Sequence, residues 1–161
     1  MQRTEPNAVA TAASGRWLVL AIVSSALLLI VVDMTVLYTA LPRLTHDLNV
    51  NASEKLWIVN IYALVVSGLL LGMGTLGDRL GHKRLFMAGL AVFGVASLAA
   101  AYSPGAAMLI AARALLAVGA AMMMPATLSI LRLTFADERE RAVAIGVWAS
   151  VASGGAAVGP V

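Results

Sequence analysis

The chain contains no cysteine, which excludes disulfides and thiolate metal sites. Its two histidines, His46 and His82, lie far apart and form no ligand set, so no metal centre is expected. Charge is scarce: Asp, Glu, Lys and Arg make up 12% of the 161 residues, against roughly 25% in a soluble domain. The net charge of +3 is too small, and too confined to loops, for a nucleic-acid binder. Apolar side chains take the place of charge, at 61% of the residues, where a soluble domain carries roughly 45–50%. Burial in water cannot hide that much apolar surface in so small a domain, but lipid can.

The apolar residues fall into five runs. Trp17 to Leu41 is apolar except for Ser24, Ser25, Asp33, Thr35 and Thr39. At helical rise it spans ~37 Å, enough to cross a bilayer with some tilt. It is longer than the apolar stretch of a signal peptide, and further apolar runs follow it. Leu56–Leu76 and Leu85–Tyr102 carry no charge, Ala106–Leu131 carries only Arg113, and Ala142–Val161 is uncharged. No unit repeats at a fixed period of 20–50 residues. The expectation is therefore an all-α membrane protein: residues 1–16 as a disordered cytoplasmic tail, then transmembrane helices at about 17–41, 56–76, 85–102, 106–131 and 142–161. With the N-terminus inside, Arg3, Arg16, Arg79, Lys83, Arg84, Arg132, Arg139 and Arg141 all lie on the cytoplasmic side, and only Arg43 and Lys55 lie outside. That asymmetry sets the orientation.

Two charges stand inside apolar runs. Each costs about 2.5–3.5 kcal/mol at a helix centre on insertion scales, so each needs a partner or a water-filled cavity. Counted from the outer face, Asp33 lies ~12 Å deep and Arg113 ~10 Å deep. Similar depth and opposite sign make a pair geometrically possible. The functional reading is that Asp33 binds a proton or a cationic substrate. The alternatives are a purely structural ion pair, or an aspartate that snorkels outward. Between the second and third runs, Gly74-Thr-Leu-Gly-Asp78-Arg79-Leu-Gly81-His82-Lys83-Arg84 reads as a tight turn. There Gly81 permits a positive φ. Asp78 can bond Arg79, Lys83 or Arg84, or cap a helix. An intramembrane aspartyl protease would carry Gly-x-Gly-Asp here, but Thr75 occupies the first glycine position.

Gly146, Ser150 and Gly154, and then Gly155-x-x-x-Gly159-Pro160, are spaced for close helix approach, and Pro160 can bend its helix. Gly68-x-x-x-Gly72 reads only as generic packing. Met122, Met123 and Met124 cannot share one helix face, so they read as packed or lipid-facing. Trp17 and Trp57 read as interfacial anchors at opposite boundaries. Tyr62 is deeper and can stack on a cation or simply pack. Asn51-Ala-Ser53 matches a glycosylation sequon.

Together these residues resemble the major facilitator superfamily. Gly74 to Arg84 is similar to its signature between helices 2 and 3, and Leu109 to Gly119, with Arg113, to that on helix 4. Gly146, Gly155, Gly159 and Pro160 match the glycine–proline motif of helix 5 that marks antiporters. Asp33-Met-Thr-Val-Leu-Tyr-Thr-Ala-Leu-Pro42 resembles the helix 1 motif of the 14-helix drug:proton antiporters. Leu56-Trp-Ile-Val-Asn-Ile-Tyr62 resembles the start of helix 2 in their antiseptic and quaternary-ammonium pumps.

The resemblance implies a multi-pass inner-membrane exporter that exchanges small lipophilic cations for protons by alternating access, with no cofactor other than the coupling protons. Asp33 would be the proton or cation site, Arg113 its coupling partner, and Asn60 and Tyr62 candidates for the substrate cavity. Asp78, Arg79, Lys83 and Arg84, with Gly74 and Gly81, would form a cytoplasmic gate, and Pro160 with its glycines would limit proton leak. Asn60 stands where some antiseptic pumps carry Asp, which predicts weaker handling of dications. His82 replaces the usual basic residue, so charge in that turn can vary with pH. The family pairs two six-helix bundles around a central site. A five-helix chain is thus expected to be an N-terminal fragment, inactive without its remaining helices. A short membrane protein without transport, or an inactive remnant, is the alternative. No catalytic set supports an enzyme.

Overall fold

The computed structural model describes residues 6–47 and 50–158, with side chains from 15 to 46 and from 50 to 154. All regular structure among them is helical: α1 Pro6–Asp47, α2 Ala52–Leu80, α3 His82–Ala101, α4 Ala106–Thr134 and α5 Glu138–Val158.

The helices run past the apolar runs that define them. α1 begins at Pro6, so most of the stretch expected to be a disordered tail is helical. A proline is preorganised for the first helical position, where its missing N–H goes unneeded, and the residues after it are rich in alanine. α1 also passes through Pro42. In the turn that follows, the Thr45 hydroxyl donates to the carbonyls of Leu41 and Pro42. The 42 residues of α1 reach ~63 Å, about twice the hydrocarbon core of a bilayer, so the helix projects beyond it.

Local chemistry sets the other ends. Asn51 and Glu54 form a reciprocal capping box at the start of α2, a role the sequon reading overlooked. Asp137 caps α5, its Oδ1 accepting from the backbone N–H of Arg139 and Glu140, each at 3.0 Å. α5 therefore starts four residues before its apolar run.

α1 from Gly15 to His46, α2, α3 and α4 are each long and apolar enough to cross a membrane. α5 opens on four charged residues, and its described length does not meet that measure. α4 is the hub, packed most extensively on α3 and α2, while α1 bridges α4 and α5. At the α3–α4 crossing the backbones nearly touch. A Cβ on Gly119 would lie 2.8 Å from the Phe93 nitrogen, and one on Gly89 would lie 2.9 Å from the Gly119 carbonyl. Only glycine fits at either position. The core beside this contact takes Ile30, Tyr62, Phe93, Leu116 and Met123.

Chain direction alternates. Arg16 pairs with Glu140 at 2.6 Å, which places the start of the α1 span beside the start of α5. Lys83 borders a hollow with Val19 and Thr134, which places the α2–α3 turn at the same end. Leu37, Ile58 and Leu109 cluster at the opposite end.

Candidate functional site

α4 turns one face wholly inward: Leu109, Ala112, Arg113, Leu116, Ala117 and Ala120 are all buried. Arg113 thus rides on the most enclosed stripe of the bundle, 4% exposed. The alanines around it leave room for a long side chain. α1 brings Asp33 to the same level, and the Arg113 Nη1 lies 3.4 Å from the Asp33 Oδ2. The contact is long for a charge-assisted hydrogen bond, which runs at about 2.7–2.9 Å. The Asp33 side chain keeps 20% of its surface open and that of Arg113 only 5%.

α2 supplies the third member. Tyr62 is 1% exposed, and the Arg113 guanidinium carbon sits 5.0 Å from its ring centroid. A cavity of about 60 Å³ opens beside them, lined by Met34, Leu37, Tyr38, Val59 and Ala63 with Tyr62 and Arg113. The Tyr62 hydroxyl and the Arg113 Nε are buried without a hydrogen-bond partner.

Asn60 and Tyr62, named together as cavity candidates, point to different surroundings. Two residues along a helix is more than half a turn. Asn60 is exposed, donates from Nδ2 to the Leu56 carbonyl at 2.9 Å, and borders a shallow groove with Trp57 and Leu64.

The α2–α3 turn is tighter than a loop. Only Gly81 separates the two helices, at φ 94° and ψ 127°, backbone that side chains other than glycine rarely adopt. Asp78 is therefore the third-last residue of α2 and caps no N-terminus. Its partner is His82, with Nε2 3.3 Å from Oδ1, and not Arg79, Lys83 or Arg84, which form no ion pair among the described residues. The pair is spaced i, i+4 across the break, while Arg79 borders a hollow with Gly72 and Leu76, and Lys83 one with Val19 and Thr134. Beneath it, Gly77 makes room for the His82 ring; a Cβ on Gly77 would lie 2.7 Å from the His82 Nδ1. That role escaped sequence reading, although Gly77 stands inside the turn signature.

Gly74 and Gly146 face open space, as do Gly68 and Gly72, which shape a hollow on the outer face of α2. Gly155 lies within α5 but its surroundings are not described, and Gly159 and Pro160 lie outside the described residues. Met123 is buried, with Met122 and Met124 partly buried against the core. Trp17 packs edge-on against Phe135 with ring centroids 5.6 Å apart. The Trp17–Phe135 and Arg16–Glu140 contacts join the start of the apolar part of α1 to the α4–α5 connection and the first turn of α5, and no sequence motif announced them.

Residues 23–161 match the Major Facilitator Superfamily. The chain belongs to that superfamily. It is 53% identical over 145 residues to the methyl viologen resistance protein SmvA of Salmonella typhimurium strain LT2, covering 90% of this chain and 29% of that protein. It is 48% identical over 145 residues to the multidrug efflux pump LfrA of Mycolicibacterium smegmatis, covering 90% of this chain and 29% of the pump. It is 40% identical over 144 residues to the puromycin resistance protein pur8 of Streptomyces alboniger, covering 89% and 29%. The chain spans 29% of the length of each of these relatives. As a superfamily chain with four apolar spans it is a multi-pass membrane protein.

Proposed function

We propose that the chain forms the front part of a proton-coupled exporter of lipophilic organic cations in the inner membrane. The observation that carries this reading is the Asp33–Arg113 contact between apolar helices. Asp33 is the sole carboxylate within the apolar runs. An exchanger of protons for cations needs one group that alternates between the two, and a partly open carboxylate meets that need. Arg113 holds the charge when neither ligand is bound. A proton or a cation arriving at Asp33 takes over the role of Arg113, and protons are the sole coupling species. Asp78, Arg79, Lys83 and Arg84 act at the cytoplasmic gate, hinged at Gly81. The glycines of α5, with Pro160, restrict proton leak. The lipid bilayer and further transporter helices are the partners of the exposed helix faces.

Relatives support the substrate class, since one is named for resistance to methyl viologen and another for multidrug efflux. Methyl viologen is an organic dication. Asn60 is turned away from Asp33 (its amide bonds its own helix), so the dication handling expected to suffer from the missing carboxylate depends on Asn60 lining the path in the assembled transporter.

The test is a chimera in which this chain replaces the matching segment of the 53%-identical relative. Proton-driven ethidium efflux from cells is expected in the chimera, and Asp33→Asn is expected to lower it at least about tenfold, the scale of one lost charge contact. Efflux unchanged by Asp33→Asn overturns the reading. The 161-residue chain expressed alone is expected to give no efflux.

A further inference from the structure

Arg113 is held in a way its ion pair does not explain. Its guanidinium carries five N–H donors, and a charge this buried ordinarily demands close, multiple contacts. Asp33 gives it a single contact at 3.4 Å, and Nε has no partner. What lies against the guanidinium is the Tyr62 ring, at 5.0 Å from its centroid, inside the range of about 6 Å for attraction between a cation and an aromatic face. Tyr62 itself is buried, with its hydroxyl unpartnered, so its contribution here comes from the ring and not from a hydrogen bond.

We infer that Tyr62 is a positioning residue for the exchange at Asp33: its ring carries the Arg113 guanidinium, so that Asp33 can let go of Arg113 when a proton or an organic cation arrives. The cation on which Tyr62 stacks is thus the protein's own, and Tyr62 acts on substrate through Arg113. The device follows from competition. An arginine with Asp33 as its sole partner would clamp the carboxylate, and every incoming cation would have to break that clamp inside a low-dielectric bundle. An arginine already stabilised by an aromatic face loses little on release. The loose Asp33–Arg113 distance and the close Tyr62 contact are the two halves of this arrangement.

The inference rests on the exchange role proposed for Asp33, and two measurements separate the two claims. The first uses the 161-residue chain in lipid nanodiscs, with NMR of the Arg113 guanidinium protons, and requires no transport. The ring current of Tyr62 is expected to shift these resonances upfield, Tyr62→Phe to keep the shift, and Asp33→Asn to keep it as well. Loss of the shift in Asp33→Asn shows that Asp33 alone holds Arg113 in place, and overturns the inference. The second uses the chimera. Tyr62→Leu is expected to raise KM for ethidium about tenfold with the maximal rate preserved, the scale of one desolvated cation–aromatic contact. Tyr62→Phe is expected to restore KM to within about twofold. A fall in maximal rate at unchanged KM, equal in the Leu and Phe variants, marks a packing role and overturns the inference. If Tyr62→Leu does not fold, the NMR of the Phe and Asn variants still decides. A chimera that does not transport refutes the proposed function and leaves the NMR result standing.

Discussion

α2 and α4 are 29 residues each and nearly equal in hydropathy, yet α4 buries 13 residues inside the bundle and α2 only three. Both carry glycine and leucine. The difference lies in where the small residues stand. α4 buries Ala112, Ala117, Gly119, Ala120 and Ala126, and the α3 backbone approaches Gly119 closely. Gly68 and Gly72 of α2 meet nothing within 4 Å. In lipid, apolar character does not draw one helix to another, because the tails are as apolar as leucine; close packing and polar contacts do. Two helices of the same hydropathy can therefore be hub and periphery. The polar residues follow the same division: α4 buries Arg113, and α2 leaves Asn60 exposed while burying Tyr62 beside Arg113.

The contrast can be broken within α2 itself. Tyr62→Ala empties a fully buried site and is expected to cost about 3 kcal/mol, whereas Asn60→Ala on the outer face is expected to change stability by less than about 0.5 kcal/mol. SDS-induced unfolding of the chain in mixed micelles, followed by tryptophan fluorescence, reads both. A comparable loss at the two positions would mean that α2 has no buried side.

Glycines sharpen the comparison next. Gly119→Val drives a side chain into the α3 backbone and is expected to cost about 2–3 kcal/mol. Gly72→Ala, in open space within a helix, is expected to be neutral or to stabilise by up to about 1 kcal/mol. The same unfolding assay orders them, and an inverted order would place the close crossing elsewhere.

Gly81→Ala tests the joint between α2 and α3. At φ 94°, a Cβ is expected to cost about 1–2 kcal/mol. Faster limited proteolysis at the turn, relative to Gly74→Ala, is the measurement. The smallest effect is expected for the pair at the bundle end. The side chains of Arg16 and Glu140 are 34% and 39% exposed, so a double-mutant cycle with alanine is expected to give a coupling of no more than about 0.5 kcal/mol. A larger coupling would make that end, rather than the α3–α4 crossing, the anchor of α1 and α5.

Much of this was legible in the residues. Segregated charge named the membrane class, the apolar runs located the helices, and Lys and Arg placement gave an alternation that the Arg16–Glu140 and Lys83 contacts match. Helix ends were misjudged because hydropathy stops where charges begin, while helices continue until capping ends them. Asp137 and the Asn51–Glu54 box are polar and so were read as loop, yet they start helices. Asp78 was matched with cationic neighbours on charge alone, whereas its partner is the residue one helical turn away.

The sequence by itself determined the environment of each segment, since transfer from water to lipid depends on the side chains of that segment alone. It also singled out Asp33 and Arg113, because a charge in an apolar run is costly wherever the helix packs. Only the tertiary structure decided which groups meet: that Arg113 lies between Asp33 and the Tyr62 ring, that Asn60 faces away, and that α4 and not α2 forms the centre. These depend on how each helix is rotated about its axis. In lipid that rotation is set by contacts such as Gly89 against Gly119, whose partner lies on another helix, thirty residues away in the chain.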